Sequence, residues 1–262
     1  MDSLNVALED EDTRLTAQQG LVPRLLFGTM RRWPEDEALL SRALYTVMLL
    51  LRPKGGSEGC LFKGDEMCSL HVPAVVEEGV SAVLETMQRH RGSRCLQYIG
   101  CWAMVNMALE ASHKRELLKW GALESVCEAM DAHQDDAKVQ FRALFALINL
   151  VTIGGVSQTE SAEFTEALLV RVVSSTSRFL RCLDVAGRGC MVLYNLSLDT
   201  ANHGCLKRLR VPSLLQAAAD AHPKDGMLEF VASSITNRLS SNGEQQGQVQ
   251  GQALHAPPVG VV

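Results

Sequence analysis

The sequence is poor in aromatic residues, has no excess of basic charge and contains no long apolar run. Aromatic residues make up only 5% of the 262 residues, although 47% are hydrophobic. Leucine, alanine, valine and methionine therefore carry most of the apolar content, which favours helices packed on helices over a sheet of aromatic and β-branched residues. We expect an all-α protein with enough apolar residues for a large core.

The charge balance argues against binding to nucleic acid. Lysine and arginine total 25 against 30 aspartate and glutamate residues, for a formal net charge of -5. This charge gives no general attraction to a phosphate backbone, so we expect no nucleic-acid partner. The most apolar run, residues 43–51, is too short to cross a bilayer, so we also expect no membrane insertion.

Two features predict a reducing compartment, either the cytoplasm or the nucleus. The segment MDSLNVALEDEDTRL at the start of the sequence has neither the positive region nor the apolar core of a signal peptide. The eight cysteines fall mostly in apolar, helical contexts, which is typical of free thiols acting as small hydrophobic residues. We therefore expect no export and no disulfides.

A pair of amphipathic helices recurs along the chain. Residues 121–150, GALESVCEAMDAHQDDAKVQFRALFALINL, carry two blocks with helical apolar spacing, separated by AHQDDA. The same plan begins near Gly20, Gly79, Leu168 and Val211. Gly79 and Gly121 are 42 residues apart, which fits armadillo and HEAT units of roughly 40 to 47 residues and excludes the shorter helical repeats. A short helix fits ahead of most pairs, so each of about five units is predicted to have three helices.

The repeats cover residues 13–239. Residues 1–12 precede them as an acidic N-terminal extension. The glycine-rich stretch at residues 52–72 is longer than ordinary helix connections and is predicted to be an exposed loop insertion. Residues 240–262 are rich in glycine, glutamine and proline without apolar periodicity, so this tail is expected to be disordered.

Four units place an asparagine after an apolar run, near the end of the second long helix. The runs are WAMVN, FALIN, MVLYN and SSITN, and their asparagines are 43, 46 and 42 residues apart. Together with the Gly-Ala or Gly-Val opening of the preceding helix, this series resembles the armadillo repeat family, and WAMVNMA is similar to the tryptophan-asparagine motif of importin alpha. The resemblance implies a right-handed α-solenoid, a superhelix of about five armadillo-like three-helix repeats.

The resemblance also implies a concave groove in which the asparagines hold the backbone of an extended peptide. In this chain the asparagines are Asn106, Asn149, Asn195 and Asn237. An asparagine side chain offers two donors and an acceptor, so it can bind both C=O and N–H groups of a peptide strand. A residue four positions earlier shares the same helix face, which places Trp102 beside Asn106 and Phe145 beside Asn149.

Basic residues lie seven and eleven positions before two of the asparagines. They are Lys138 and Arg142 before Asn149, and Arg188 before Asn195. Importin alpha takes basic cargo, whereas beta-catenin uses lysines and arginines beside its asparagines to hold acidic segments, and this chain resembles the latter. We therefore predict a protein-interaction module for an acidic or phosphorylated peptide, with charge-assisted bonds from the arginines.

The predicted face of the helix at residues 137–150 divides into two stripes. Leu144, Leu147 and Ile148 are assigned to packing, while the other stripe faces the peptide. The predicted peptide-binding groove of the whole chain comprises Trp102, Asn106, Lys138, Arg142, Phe145, Asn149, Arg188, Asn195 and Asn237.

Other interpretations of these residues remain open. The asparagines could cap or bridge adjacent helices inside the stack, and the arginines could be ordinary solvated charges. The chain could instead be a structural subunit that docks into a larger assembly through its convex face or its ends. An importin-like adaptor for basic localisation signals is a third possibility. The partner is expected to be a protein, with the chain a monomer or a subunit of a hetero-complex.

The sequence contains no recognisable catalytic or metal-binding motif. The histidines do not pair with a serine or cysteine in a nucleophile motif. Cys60, Cys68 and His71 match no common zinc spacing, and Gly187-Arg188-Gly189 is only a fragment of a phosphate loop. We expect no enzymatic activity, no cofactor and no metal.

Overall fold

A computed structural model describes residues 2–52, 73–151 and 161–240. Within these ranges the regular elements are α-helices and one short 3-10 helix, so the predicted all-α class is confirmed. None of the described helices is both long enough and apolar enough to cross a membrane. The glycine-rich stretch from residue 53 to 72 and the tail from residue 241 lie outside the described residues. The chain divides into two compact units, residues 1–160 and 161–262.

The first unit contains nine helices in its described residues. In chain order these are α1 Asp2–Ala7, α2 Glu11–Gln19, α3 Val22–Arg32, α4 Glu37–Leu50, α5 Pro73–Arg89, α6 Arg94–Met107, α7 Ala111–Lys119, α8 Ala122–Ala132 and α9 Ala137–Leu150.

The long helices of the first unit pack in two rows. Helix α6 lies between α4 and α9, and α5 lies between α3 and α8. Each helix of one row also contacts a helix of the other row, as α3 with α4, α5 with α6 and α8 with α9. Both rows bury leucine, valine and methionine, including Leu44 and Leu144 of one row and Val83 of the other, all at 0% exposure. The apolar stripe of each helix is thus covered by its neighbours.

Polar residues mark where each helix of the α4, α6 and α9 row begins. The side chains of Asp36, Ser93 and Asp136 accept hydrogen bonds from backbone N–H groups of the first turn. An N-cap of this kind satisfies donors that have no partner within the helix. Each of the turns WPEDE, HRGS and HQDD therefore connects a helix of the α3, α5 and α8 row to the next helix of the α4, α6 and α9 row.

A histidine of each turn bonds to the neighbouring turn, and a glutamine bonds within its own repeat; His90 and His133, like Gln97 and Gln140, are 43 residues apart. His90 Nε2 donates to the Pro34 carbonyl at 2.7 Å, and His133 Nε2 donates to the Arg91 carbonyl at 2.9 Å. Gln97 Nε2 donates to the carbonyls of Met87 and His90, at 2.8 and 2.9 Å.

The same bond pattern recurs 43 residues later. Gln140 Nε2 donates to the carbonyls of Met130 and His133, at 2.9 and 3.0 Å. Like Gln97, this buried glutamine satisfies carbonyls at the end of a helix, which would otherwise lack partners. His90 and His133, which belong to no nucleophile motif, thus occupy equivalent positions of two repeats.

The two glycines that suggested the repeat have different roles. Gly121 has φ 81° and immediately precedes α8, a conformation that glycine adopts without strain. Gly79 was predicted to open a helix, but this is wrong because α5 already begins at Pro73. A Cβ atom added at Gly79 would lie 2.6 Å from Leu51 Cδ1. Gly79 therefore permits a close approach between α5 and the end of α4.

The acidic N-terminal segment packs against the first long helices. Residues 1–12 supply α1 and the beginning of α2, and Leu8 between them is fully buried. Helix α1 contacts α4, and α2 contacts α3 and α4. Gln18 Nε2 donates to the carbonyl of Leu50, the last residue of α4, at 2.6 Å. The described part of this segment is therefore helical and contacts α4.

The second unit repeats the pairing of long helices. Its elements are α10 Ala162–Arg178, α11 Leu183–Leu196, the 3-10 helix Thr200–Asn202, α12 His203–Arg208, α13 Val211–Ala221 and α14 Gly226–Ser240. Helix α11 contacts α10 and α14, and α13 contacts α14. His222 Nε2 donates to the Leu180 carbonyl at 2.9 Å, as His90 and His133 do in the first unit.

Candidate functional site

The α4, α6 and α9 row presents a partly exposed aromatic surface in the first unit. We call this surface the aromatic face, and it comprises Tyr45, Tyr98, Trp102, Phe141 and Phe145, all half-buried. The Trp102 ring centre lies 5.7 Å from that of Tyr45 and 6.1 Å from that of Tyr98, both edge to face. Phe141 and Phe145 are 6.1 Å apart on α9. Three helices of one row thus contribute aromatic rings to this face.

The guanidinium group of Arg142 lies against this aromatic face. Its central carbon is 4.4 Å from the centre of the Trp102 ring and 5.2 Å from the centres of both Tyr98 and Phe141. Arg142 Nε also donates to the Tyr98 hydroxyl at 3.1 Å. A cation over aromatic rings is stabilised by the negative face of each ring, most strongly for tryptophan. Arg142 is consequently held by contacts with α6 and with its own helix.

Burial makes Arg142 unlike an ordinary surface arginine. The residue is only 9% exposed, and within the described residues it joins no ion pair with a carboxylate. Its one hydrogen bond there is the bond from Nε to Tyr98. A buried charge normally needs a paired charge or several hydrogen bonds. Here the aromatic rings provide part of that compensation, and the terminal nitrogens remain available to another acceptor.

The asparagines of the first unit bond to helix carbonyls. Asn149 Nδ2 donates to the Val105 carbonyl on α6 at 2.9 Å. Val105 lies in the last turn of α6, where carbonyls have no partner in their own helix. Asn106 Nδ2 donates to the Trp102 carbonyl at 3.0 Å, four residues earlier on the same helix. Asn149 therefore bridges neighbouring repeats, which is one of the roles left open by the sequence.

The remaining predicted residues of α9 lie near the aromatic face. Lys138 is exposed in the first turn, and Phe145 and Asn149 are half-buried in the last two turns. Leu144 and Leu147 are fully buried, as the division into stripes predicted. Ile148 is only half-buried, although it was assigned to packing. Part of this apolar side chain is therefore exposed.

The second unit contains the other predicted residues. Arg188 and Asn195 are half-buried on α11, and Asn237 is exposed on α14. The prediction missed Arg238, next to Asn237, whose guanidinium carbon lies 5.0 Å from the centre of the Tyr194 ring. Arg238 Nη1 also donates to Ser197 Oγ at 2.6 Å. An arginine over an aromatic ring of the neighbouring long helix thus occurs in both units.

Sequence reasoning missed most of the aromatic face. Tyr98 and Phe141 are 43 residues apart, and each lies eight positions before an asparagine. This regular spacing is a signal in the sequence, but besides the asparagines the predicted groove includes only positions four, seven and eleven residues before an asparagine. The packing of Arg142 on Trp102 could not be found from such spacing, because it joins side chains of two different repeats.

The described residues offer little for metal or nucleophilic chemistry. The described ranges contain no group of three or more histidine, cysteine, aspartate or glutamate side chains able to hold a metal ion. Cys60, Cys68 and His71 lie outside them. Burial raises the pKa of the Cys101 thiol to about 12, and burial together with nearby Asp225 raises that of Cys190 to about 12. A raised pKa disfavours the thiolate, which is the nucleophilic form.

Comparisons with known proteins add no assignment to this geometry. No protein-family model matches the chain, and no curated protein matches it significantly.

Proposed function

We propose that the chain is a protein-interaction module that binds an extended, acidic or phosphorylated segment of a partner protein on the aromatic face. Both units would be stacks of armadillo-like repeats, with no enzymatic activity and no cofactor. The repeat interpretation is supported by the recurrence of paired long helices and of His–carbonyl contacts, two of which span 42 residues.

The sign of the ligand charge is argued from Arg142 and Trp102. In an importin-like site, a tryptophan would receive a basic side chain of the cargo. Here the chain's own guanidinium already lies 4.4 Å from the Trp102 ring centre. A second cation would meet like charge at this position, whereas an anion would meet a complementary charge in a partly dehydrated surface. This single contact favours an acidic ligand over a basic localisation signal.

Lys138 adds a second positive charge to α9. It lies in the first turn of the helix, where the helix dipole disfavours a cation. The position is exposed, so a binding role there does not compete with packing. Asn106 uses one of its two N–H donors for the Trp102 carbonyl, which leaves an amide donor and acceptor for a peptide backbone.

Fluorescence anisotropy with the full chain tests this proposal. The probes are fluorescein-labelled peptides of one length that carry glutamates, phosphoserines or lysines at the same positions. The glutamate or phosphoserine peptide should bind more tightly than the lysine peptide, and the difference should shrink as salt is added. Tighter binding of the lysine peptide would support an importin-like adaptor instead.

A charge reversal at Lys138 locates the binding surface. Lys138→Glu should weaken binding of the acidic peptide without lowering the melting temperature, because an acidic residue suits the first turn of a helix. Lys224→Glu is the matched control, since Lys224 is an exposed lysine in the turn before α14 and the substitution makes the same change in net charge. Equal weakening by both variants would mean that only net charge matters, and the proposed site would be wrong.

A structural subunit is the second candidate function, and one surface favours it. Leu21 and Leu25, at the start of α3, are 69% and 66% exposed. Exposed leucines one helical turn apart are typical of a contact surface. Replacing both by serine should leave peptide binding unchanged but release the chain from any native assembly recovered with it. Continued assembly of this double variant would remove the support for a docking role through α3.

A further inference from the structure

Tyr98 restricts how Arg142 can bind a ligand. A guanidinium group can present two pairs of N–H donors, one at its side through Nε and one at its end through Nη1 and Nη2. The Nε donor is already bonded to the Tyr98 hydroxyl at 3.1 Å. The side-on pair is therefore occupied, and the end-on pair remains for a ligand.

The Tyr98 hydroxyl itself gains a defined direction from this bond. Because its oxygen accepts from Arg142 Nε, its own hydrogen must point away from that nitrogen. Within the described residues, the Tyr98 hydroxyl donates no hydrogen bond of its own. The hydroxyl can therefore add a third donor beside the end-on pair.

The surroundings strengthen any bond made at this position. Three aromatic rings lie within 5.2 Å of the guanidinium carbon, and Arg142 is only 9% exposed. Low local polarity increases the strength of a charge-assisted hydrogen bond. The contacts with these rings and with the Tyr98 hydroxyl also restrict the movement of the guanidinium, so less conformational freedom is lost on binding.

We infer that the end-on edge of the Arg142 guanidinium and the Tyr98 hydroxyl form a receptor for one two-oxygen anionic group, a phosphate monoester or a carboxylate. The inference rests on the proposed function, because it identifies the part of the acidic ligand that the aromatic face recognises. Arg142 is the binding residue, and Tyr98 both positions it and supplies a donor.

Nuclear magnetic resonance of the Arg142 Nε–Hε group tests this receptor in the full chain. The probes are phenyl phosphate, benzoate and benzylammonium, which share a ring and differ in the charged group. Phenyl phosphate or benzoate should shift the resonance saturably, and benzylammonium should not. Tighter binding of phenyl phosphate would identify the ligand group as a phosphate monoester, and tighter binding of benzoate would identify it as a carboxylate. Equal shifts with benzylammonium, or no saturable shift with either anion, would overturn the inference.

Two conservative variants separate binding from folding. Tyr98→Phe keeps the ring under the guanidinium but removes the hydroxyl, and Arg142→Lys keeps the charge but removes the paired donors. Each should weaken binding of the better anion, Arg142→Lys by about tenfold or more, and the aromatic-ring resonances should show that the fold is kept. Arg238→Lys is the matched control, because Arg238 also lies over a tyrosine ring but in the second unit.

The results can show whether the Arg142–Tyr98 receptor is wrong or whether the proposed peptide-binding function is wrong. If the acidic peptide still binds the chain but Tyr98→Phe and Arg142→Lys leave its affinity unchanged, the module stands and the receptor is wrong. If neither the acidic nor the phosphorylated peptide binds the unaltered chain, the proposed function itself is wrong. A loss of affinity in both variants, with Arg238→Lys unaffected, supports the receptor.

Discussion

His133 Nε2 lies 2.9 Å from the carbonyl oxygen of Arg91, which is 42 residues earlier in the sequence. The same contact joins His90 to Pro34 in the preceding repeat and His222 to Leu180 in the second unit. Each histidine follows the end of one long helix and binds the turn of the neighbouring repeat. Two of the three contacts, those of His133 and His222, span 42 residues, which is also the interval between Gly79 and Gly121, and the contact of His90 spans 56 residues.

Removing this contact should destabilise the first unit. His133→Ala deletes the donor to Arg91, and we expect the free energy of unfolding to fall by about 1 kcal/mol, the usual net value of one hydrogen bond. Chemical denaturation of both proteins measures the change. His133→Gln retains an N–H donor and should recover part of the loss. An unfolding free energy that His133→Ala leaves unaltered would show that the contact is incidental.

Two glycines in helices should respond to alanine in opposite directions. Gly79→Ala places a Cβ 2.6 Å from Leu51 Cδ1, so the fully buried Leu51 side chain must shift within the core. We expect a loss of about 1 to 3 kcal/mol from this overpacking. Gly28 in α3 has no neighbour within 4 Å of an added Cβ.

Gly28→Ala is therefore the matched control for Gly79→Ala. Alanine has the higher helix propensity, so this variant should gain about 0.5 to 1 kcal/mol. Thermal or chemical denaturation of both variants checks the pair. The close packing at Gly79 would be contradicted if both substitutions stabilised the protein equally.

The buried thiol of Cys101 should make the protein less stable in alkaline solution. Burial raises the pKa of this thiol from 9.0 to about 12 in the folded state. Between these values the unfolded chain loses the proton while the folded chain retains it, so stability falls as the pH rises. One thiol contributes a slope of about 1.4 kcal/mol per pH unit in this range.

The pH dependence of chemical denaturation above pH 9 measures this slope. Cys101→Ala should make the slope smaller by the contribution of one thiol, whatever its effect on stability near neutral pH. The buried Cys190 should contribute in the same way, because its pKa is also raised to about 12. An identical slope in Cys101→Ala would mean that the thiol ionises freely in the folded protein.

Periodicity was sufficient to predict the helices but not the contacts between their side chains. The helical class, the breaks at WPEDE and AHQDDA and the burial of Leu144 and Leu147 follow from local apolar spacing. Gly79 was misplaced because a glycine that permits close packing looks the same in sequence as one that precedes a helix. Only the three-dimensional positions distinguish these two roles.

The candidate site was predictable only in outline. Asn106 and Asn149 were predicted because they repeat at fixed positions, and Trp102 because WAMVNMA is similar to a tryptophan-asparagine motif. The burial of Arg142 was not predictable, since it depends on Tyr98 and Trp102 from α6 approaching α9. An exposed cation and a cation covered by aromatic rings have the same sequence pattern, although their energies of desolvation differ greatly.

Tryptophan fluorescence tests the central claim most directly, with Trp102 as the only tryptophan. Trp33 and Trp120 are 48% and 44% exposed, so Trp33→Phe and Trp120→Phe should preserve the fold. Titration of this variant with the unlabelled glutamate or phosphoserine peptide should change the Trp102 emission saturably, with the same affinity as measured by anisotropy. Binding seen by anisotropy without any change in Trp102 emission would place the peptide elsewhere and contradict the account.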